Sequence, residues 1–467
     1  MSDSDPSVSI RLPRPRQAGW GGKAILVCLL AVMMAIPLLF VWLLVADRTR
    51  RSEAVTAEIS GVQGGPQRAV GPLLVAPYMI PAASRDEEST WGWYVLSPET
   101  GAAKVATRAS LLKRGIFSAP VYEATVDLEA RFAPPAATPN LPLGATVHWD
   151  RAQVVVGFSD LRGGRQDPVA SIATAGGESR ATFAPAPGVD LGRSGEGSGE
   201  FGLMSAPAAA LGQGGMFRTR LVFTGAERIS VAPFAKSTRV SLSGDWPDPG
   251  FDGGFLPATR RVTEQGFSAE RTVPFMARGL VAEGPARELA LVELARKDIG
   301  VTFTRSDNPY QFVSRSMKYG VMFVGLVFLT FFVFEALSGS RLHAAQYILI
   351  GLAQMVFYLL LLSLSEYVGF DWGFLAAASA TVLLIGLYAG AAFRGRGYRI
   401  KALAVFSAVY GLIYLLMRLE DFALLAGSVA AFAGLSMAMW LTRNLDWYGG
   451  KAALVASGSQ QPPPGRG

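Results

Sequence analysis

The chain contains two histidines and one cysteine, whose side chains are the usual catalytic bases, nucleophiles and metal ligands. A serine hydrolase needs a histidine base beside its nucleophile, but no Gly-x-Ser-x-Gly turn presents a serine here. Zinc sites take about three or four His, Cys or carboxylate ligands. His148 and His343 lie far apart in the sequence, and Cys28 lies inside an apolar run. We therefore predict no catalytic residue, no metal and no cofactor, and we expect His148 to be a surface or packed residue at a strand end.

Asp160 and Arg162 follow the apolar run Val154–Phe158 and are two residues apart. If the strand continues, their side chains project to the same face and could form an ion pair or bind a partner. Alternatively, the strand ends here and Asp160 and Gly163 stabilise a turn, since both residue types favour turns. The turn is the favoured interpretation.

Trp246 opens the segment Trp-Pro-Asp-Pro, and Phe251 and Phe255 follow it closely. The segment could be an exposed aromatic recognition loop. It could also be a loop, stiffened by proline, whose aromatic side chains close the core of a domain. We favour the second interpretation because large aromatic side chains supply much of the area buried in a core.

Glu335 is the one charged residue inside the apolar runs near the end of the chain. An ionisable side chain in a membrane segment is a functional candidate. Its position near the end of a run, with Arg341 close in sequence, makes an interfacial ion pair an equal alternative to a role in transport.

Six long apolar runs are the first of the structural elements that must position these residues. Half of the residues are hydrophobic and only 17% are charged, which indicates a membrane protein with a soluble part. A helix needs about 20 apolar residues to cross a bilayer. The sequence therefore predicts a first membrane helix at 24–46, kinked by Pro37, and a five-helix bundle at 319–441. The five runs of the bundle are 319–337, 344–364, 372–393, 402–417 and 422–441, of which 402–417 is somewhat short.

Residues 47–316 contain no run long enough to span a bilayer. Alternating apolar and polar residues at 121–129, 219–223 and 238–242 predict half-buried strands, and the continuous apolar run 154–158 predicts a buried one. The expected architecture is a β-sandwich or a pair of small β units, held without disulfides. The stretch 163–215 is rich in Gly, Ser, Ala and Pro and is predicted to be a long flexible loop. A short amphipathic helix is predicted at 285–298.

The Lys and Arg residues of the short loops predict the orientation of the chain. Arg418 is the only one in the loops 365–371 and 418–421. Eight lie in the alternate loops and the tail after residue 441: Arg341, Arg394, Arg396, Arg399, Lys401, Arg443, Lys451 and Arg466. Because basic loops stay in the cytoplasm, both termini are predicted to be cytoplasmic and residues 47–316 periplasmic. The basic tail 1–23 and the tail 442–467 would then lie inside the cell.

Several motifs in a fixed order resemble the CreD family of bacterial inner-membrane proteins. The resemblance extends from about residue 24 to residue 448 and rests on the segments Gly71–Tyr78, Arg114–Phe117, Ser159–Gly163, Trp246–Pro249, Phe328–Glu335, Arg341–His343, Leu359–Glu366 and Thr442–Tyr448. It implies a link to cell-envelope integrity, a two-component stress response, colicin tolerance and the response to β-lactams. No catalytic or ligand-binding residue can be carried over from the family.

These observations predict a non-enzymatic inner-membrane protein of six membrane helices, with a large β-rich periplasmic domain between the first helix and the second. Its expected partners are the lipid bilayer and a periplasmic or inner-membrane protein, and no nucleic acid. Asp160, Arg162, Trp246 and Glu335 are the candidate interaction or structural residues. The alternative function is a transporter or channel built on the helix bundle.

Overall fold

The computed structural model describes residues 20–82, 88–136, 141–142, 144–186, 202–279, 281–286, 296–304, 309–393, 396–418 and 423–443. The chain divides into a helical unit, residues 1–50 with 307–467, and a β unit, residues 51–306. Most of both predicted tails, and most of the predicted helix at 285–298, lie outside the described residues.

The described residues form nine α-helices. They are α1 Trp20–Met33, α2 Ala35–Val62, α3 Phe275–Arg278, α4 Pro309–Lys318, α5 Gly320–Ser338, α6 Ala344–Val368, α7 Phe370–Ala392, α8 Arg396–Arg418 and α9 Ala423–Thr442. Within this described part, six segments are long and apolar enough to cross a membrane: α1 with α2, and then α5 to α9.

The first apolar helix is interrupted at Met34, where α1 ends and α2 begins. Pro37 lies one turn further on, and its ring cannot donate a hydrogen bond and crowds the carbonyl four residues earlier. The predicted disturbance at Pro37 is therefore seen as this break. The helix also starts earlier than expected, so that Lys23, assigned above to the basic tail, lies inside α1.

Two helical features extend beyond the apolar runs. The short run 402–417 lies within α8, whose first turn contains the polar residues Arg396 and Arg399. Helix α4 was not predicted, since it has one apolar face and little overall hydrophobicity. Its residues Phe312 and Val313 are buried, and the Phe312 ring stacks on Phe370 of α7 at 4.5 Å.

The β unit contains eighteen strands among the described residues. They are β1 Gln67–Ile80, β2 Thr90–Leu96, β3 Thr100–Arg114, β4 Phe117–Phe132, β5 Thr146–Val147, β6 Gln153–Phe158, β7 Val169–Thr174, β8 Gly177–Thr182, β9 Ala184–Pro185, β10 Gly202–Pro207, β11 Gly215–Ala226, β12 Arg228–Val231, β13 Ser237–Gly244, β14 Pro249–Gly253, β15 Thr259–Thr263, β16 Gly266–Val273, β17 Glu283–Pro285 and β18 Ile299–Phe303. The four strand predictions at 121–129, 154–158, 219–223 and 238–242 are confirmed by β4, β6, β11 and β13.

The strands form two sheets. The larger has the order β14-β18-β12-β1-β6-β10-β9, with β2 and β5 also paired to β1 and β17 paired to β2. The smaller has the order β15-β16-β13-β3-β4-β11-β7-β8. Phe158 of the larger sheet stacks on Phe223 of the smaller at 4.0 Å, and one buried cluster contains residues of both sheets. The β unit is thus a sandwich, the first of the two predicted alternatives.

Strand β6 shows why its sequence is continuously apolar. Val154 and Val156 face the core of the sandwich, and Val155 belongs to a second buried cluster on the opposite face of the sheet. A strand buried on both faces has no position for a polar side chain.

The predicted flexible loop at 163–215 is corrected over its described parts. Strands β7, β8 and β10 lie within this stretch, and β7 pairs with β11 while β10 pairs with β6. Ala170 and Ile172 alternate towards the core. Each of these strands is hydrogen-bonded to a neighbouring strand, and the side chains of that neighbour help to bury it. Small side chains are therefore enough to form a strand here. Residues 187–201 of this stretch lie outside the described residues.

Candidate functional site

Glu335 lies in the last turns of α5, and its side chain is fully buried. Its Oε1 atom accepts hydrogen bonds from the Lys23 ammonium and, at 3.0 Å, from the Leu342 backbone N–H. Its Oε2 atom accepts a hydrogen bond of 3.0 Å from the Tyr347 hydroxyl. The Lys23 ammonium also donates to the Leu342 carbonyl at 2.8 Å.

The counter-ion of Glu335 is therefore Lys23 of α1, and not Arg341 as expected from proximity in sequence. A buried ion pair is tolerated when further hydrogen bonds satisfy the remaining lone pairs and protons. This cluster joins α1 to the connection between α5 and α6. Both carboxylate oxygens of Glu335 already accept hydrogen bonds, so the arrangement fits a structural role in holding these helices together.

Asp160 and Arg162 lie in a turn rather than on a continuing strand. Strand β6 ends at Phe158, and Asp160 caps a short 3-10 turn, Leu161–Gly163, by accepting a hydrogen bond from the Arg162 N–H at 2.8 Å. The Arg162 guanidinium also pairs with the Asp160 carboxylate at 2.6 Å. The hydrogen bonds from Arg162 lower the pKa of Asp160 below its usual value. Both open interpretations, the ion pair and the turn, thus occur together.

Trp246 is partly buried against the sandwich core. Its indole N–H donates to the Thr304 carbonyl at 2.9 Å, and its ring meets Phe303 edge-on at 6.0 Å. Phe251 and Phe255 pack against the same core. This placement corresponds to the core-closing interpretation of the segment.

A cluster of charged residues crosses the larger sheet. The Asp298 side chain is 2% exposed and accepts hydrogen bonds of 2.9 Å from Arg68 and from Arg228. Arg228 also pairs with Asp252 at 2.8 Å. Burial alone would lower the pKa of Arg228, but the carboxylates of Asp298 and Asp252 more than offset it, so its pKa lies above its usual value. The four residues are already paired with one another, so the cluster has a structural role as a link between strands of the sheet.

His148 follows the two-residue strand β5, as predicted for a strand end. Its ring stacks on Trp91 at 5.5 Å with an interplanar angle of 25°. Its Nδ1 atom is 4.0 Å from the Asp150 carboxylate. Among the described residues there is no group of three or more His, Cys, Asp or Glu side chains that could hold a metal ion.

The stack of Trp91 on His148 borders an open cleft of about 570 Å³ in the β unit. The residues that line it are Pro77, Trp91, Trp93, Asp150, Arg151, Ala152, Gln153, Pro207 and Ala209. They come from β1, β2, the 3-10 turn Trp149–Arg151 and the residue after it, β6 and β10, and from the first residue of the turn Ala209–Gln213.

This cleft was not predicted from the sequence. The available signal was Trp91-Gly92-Trp93, in which two tryptophans two residues apart on a strand face the same side of the sheet. Trp91 is 54% exposed. The cleft is the candidate functional site, because its aromatic and polar groups face solvent.

Comparison with known proteins identifies the family. The family model for the inner membrane protein CreD matches residues 20–448. Inner membrane protein CreD of Escherichia coli (strain K12) is 28% identical over 427 residues, which cover 89% of this chain and 91% of that protein. Together with the six apolar helices, these matches show a multi-pass inner-membrane protein with a large β-rich region. The chain belongs to the CreD family of inner membrane proteins.

Proposed function

We propose that this protein supports cell-envelope integrity under stress, without catalysing a reaction, through contacts made by its β unit in the periplasm. The observation that carries the proposal is the open cleft at Trp91 and Trp93. Trp91 is an exposed aromatic side chain beside the charged Asp150 and Arg151, and such a combination is typical of surfaces that bind a ligand or partner.

The periplasmic position of the β unit is part of this proposal. It is supported by the Lys and Arg residues of the alternate short loops and of the tail after residue 441, which together outnumber those of the remaining loops by eight to one. In this orientation both termini are cytoplasmic, and the cleft faces the compartment in which the envelope is built.

The absence of catalysis is likewise proposed, and the surroundings of His148 support it. Its ring is stacked on Trp91 and its nearest charged neighbour is Asp150. A triad would instead place a serine or cysteine nucleophile within hydrogen-bond reach of the ring.

The alternative function, transport through the bundle, is favoured by one observation, the buried carboxylate of Glu335 in α5. Two observations weigh against it. The carboxylate is already paired with Lys23, and a cavity of about 130 Å³ between α5, α8 and α9 is lined by apolar side chains. Such a cavity offers no polar path for a charged solute.

The test is complementation of cells that lack the protein, grown under envelope stress. We expect the double variant Trp91→Ala/Trp93→Ala to insert normally but to lose protection. Phe275→Ala is the matched control, since Phe275 is also an exposed aromatic residue of the β unit and lies outside the cleft. Full protection by the double variant, combined with loss of protection by Glu335→Gln at normal protein levels, would favour the transporter.

A further inference from the structure

The two indole rings of the cleft are held in place by the fold. Trp91 and Trp93 pair in β2 with Met79 and Pro77 of β1, so the backbone under both rings is part of the larger sheet. His148 stacks on Trp91 at 5.5 Å and limits the rotation of that ring. A rigid aromatic face loses little conformational entropy when a ligand packs on it.

The polar side of the cleft carries three different groups. Asp150 offers a carboxylate, Arg151 a guanidinium and Gln153 an amide. Asp150 and Arg151 are exposed. Among the described residues, neither the Arg151 nor the Gln153 side chain forms a hydrogen bond or ion pair, and Asp150 has only the 4.0 Å contact with His148. These groups are therefore available to a ligand.

The charges of Asp150 and Arg151 balance, so the cleft favours a ligand without net charge. Carboxylate, guanidinium and amide groups in one place can accept hydrogen bonds from hydroxyls and donate hydrogen bonds to them. Trp91 is 54% exposed, and the half-buried Trp93, which packs on the second buried cluster, lines the cleft beside it. Their aromatic surface suits a ring with C–H groups on one side. The volume of about 570 Å³ falls within the range of about 300–1,000 Å³ found for small-molecule sites.

We propose that this cleft binds a neutral oligosaccharide. Sugar rings pack their C–H faces on Trp91 and Trp93, Asp150 accepts hydrogen bonds from ring hydroxyls, and Arg151 and Gln153 donate to hydroxyl or amide oxygens. The inference deepens the proposed function and rests on it for the place where the ligand is met, the glycan-containing side of the inner membrane. The open shape of the cleft suits an extended chain of sugars more than a single enclosed one.

The test uses the full chain in lipid nanodiscs, because detergents with sugar headgroups would compete for the cleft. Chitohexaose and cellohexaose, two neutral oligosaccharides, are titrated by calorimetry. We expect saturable binding of at least one of them. Trp91→Ala and Trp93→Ala should each weaken it about tenfold or more, as loss of a stacking aromatic side chain does elsewhere. Trp91→Phe should keep most of the affinity, and Phe275→Ala should keep all of it.

Absence of binding of both sugars to the folded wild-type protein would overturn the inference, and so would binding that Trp91→Ala and Trp93→Ala leave unchanged. A proline-rich peptide that binds in place of the sugars, with the same dependence on the two tryptophans, would also overturn it. The outcomes separate this inference from the proposed function. If the tryptophan variants lose protection in cells but the wild-type protein binds neither sugar, only the inference of sugar binding is overturned. If the wild-type protein binds a sugar through the two tryptophans but their variants still protect cells, the proposed role is overturned.

Discussion

At the scale of single residues, Glu335 shows how the surroundings of a charge determine its role. The carboxylate is buried in α5 and shares its hydrogen bonds among Lys23, Leu342 and Tyr347. A charge with these contacts stabilises the fold as long as its counter-ion remains. When one partner is removed, the other charge is left buried without compensation.

We therefore expect Glu335→Gln to lower the free energy of unfolding by about 3 kcal/mol. Glutamine keeps an acceptor for Tyr347 or Leu342 but leaves the Lys23 ammonium without a counter-ion. The measurement is thermal unfolding of the full chain in nanodiscs. The double variant Lys23→Met/Glu335→Gln should lose less than the sum of the single variants, and strict additivity would argue against the pairing.

Arg278 presents the opposite case, a cation without a counter-ion. Its side chain is 1% exposed, and only Nη2 has a partner, Ser97 at 2.9 Å. Among the described residues no carboxylate pairs with it. Loss of hydration on burial lowers the pKa of Arg278 to about 10.

We expect Arg278→Met to raise the stability of the β unit by about 1 kcal/mol, because methionine fills similar space without a charge. The folded pKa lies below the usual one, so the cost of the charge is present in full below about pH 10 and falls as pH rises above it. Denaturant unfolding between pH 7 and pH 9 should therefore give a constant gain, and a loss of stability would contradict the assignment.

At the scale of elements, the charged cluster at Asp298 determines how four segments of the larger sheet are joined. Arg68 belongs to β1, Arg228 to β12 and Asp252 to β14, and Asp298 immediately precedes β18. The Asp298 carboxylate bonds both Arg68 and Arg228 while nearly excluded from water. It is the member whose loss leaves two cations unpaired.

We expect Asp298→Asn to lower the free energy of unfolding of the β unit by about 3 kcal/mol or more. Asp127→Asn is the matched control, because Asp127 pairs with Arg220 on the exposed surface, where an ion pair contributes little. Hydrogen exchange of β1, β12 and β18 should become faster in the first variant and stay unchanged in the second. Equal effects of both substitutions would contradict the role of the cluster.

At the scale of the whole molecule, the distribution of charge predicts the orientation in the membrane. Where α6 meets α7, Glu366 lies near the end of α6 and Asp371 near the start of α7, and the loop 365–371 contains no Lys or Arg. Where α7 meets α8, Arg394 follows α7 and Arg396 is the first residue of α8. Basic segments resist transfer across the inner membrane.

We expect alkaline phosphatase fused after Gly212 or near Gly369 to be active, since the enzyme folds only outside the cytoplasm. A fusion near Gly397 should be inactive at the same level of expression. Activity near Gly397 would reverse the proposed orientation and place the cleft at Trp91 in the cytoplasm.

The sequence by itself determined the six apolar helices and the strands with regular alternation, because both depend on residues close to one another in the chain. A run such as 372–393 is apolar enough to be recognised without any partner. The alternation at 121–129 likewise indicates a strand with one buried face. The absence of an internal disulfide follows from the single cysteine alone.

Only the tertiary structure decided which distant residues meet. Lys23 reaches Glu335 because two helices pack together, and no local pattern distinguishes it from Arg341, which is closer in sequence. Strands β7 and β10 form because the neighbouring strands β11 and β6 pair with them and help to bury them. The small side chains of β7 and β10 do not by themselves indicate this pairing. The cleft needs β1, β2, β6 and β10 in register. Register is a long-range property, since it depends on the pairing of strands far apart in the chain.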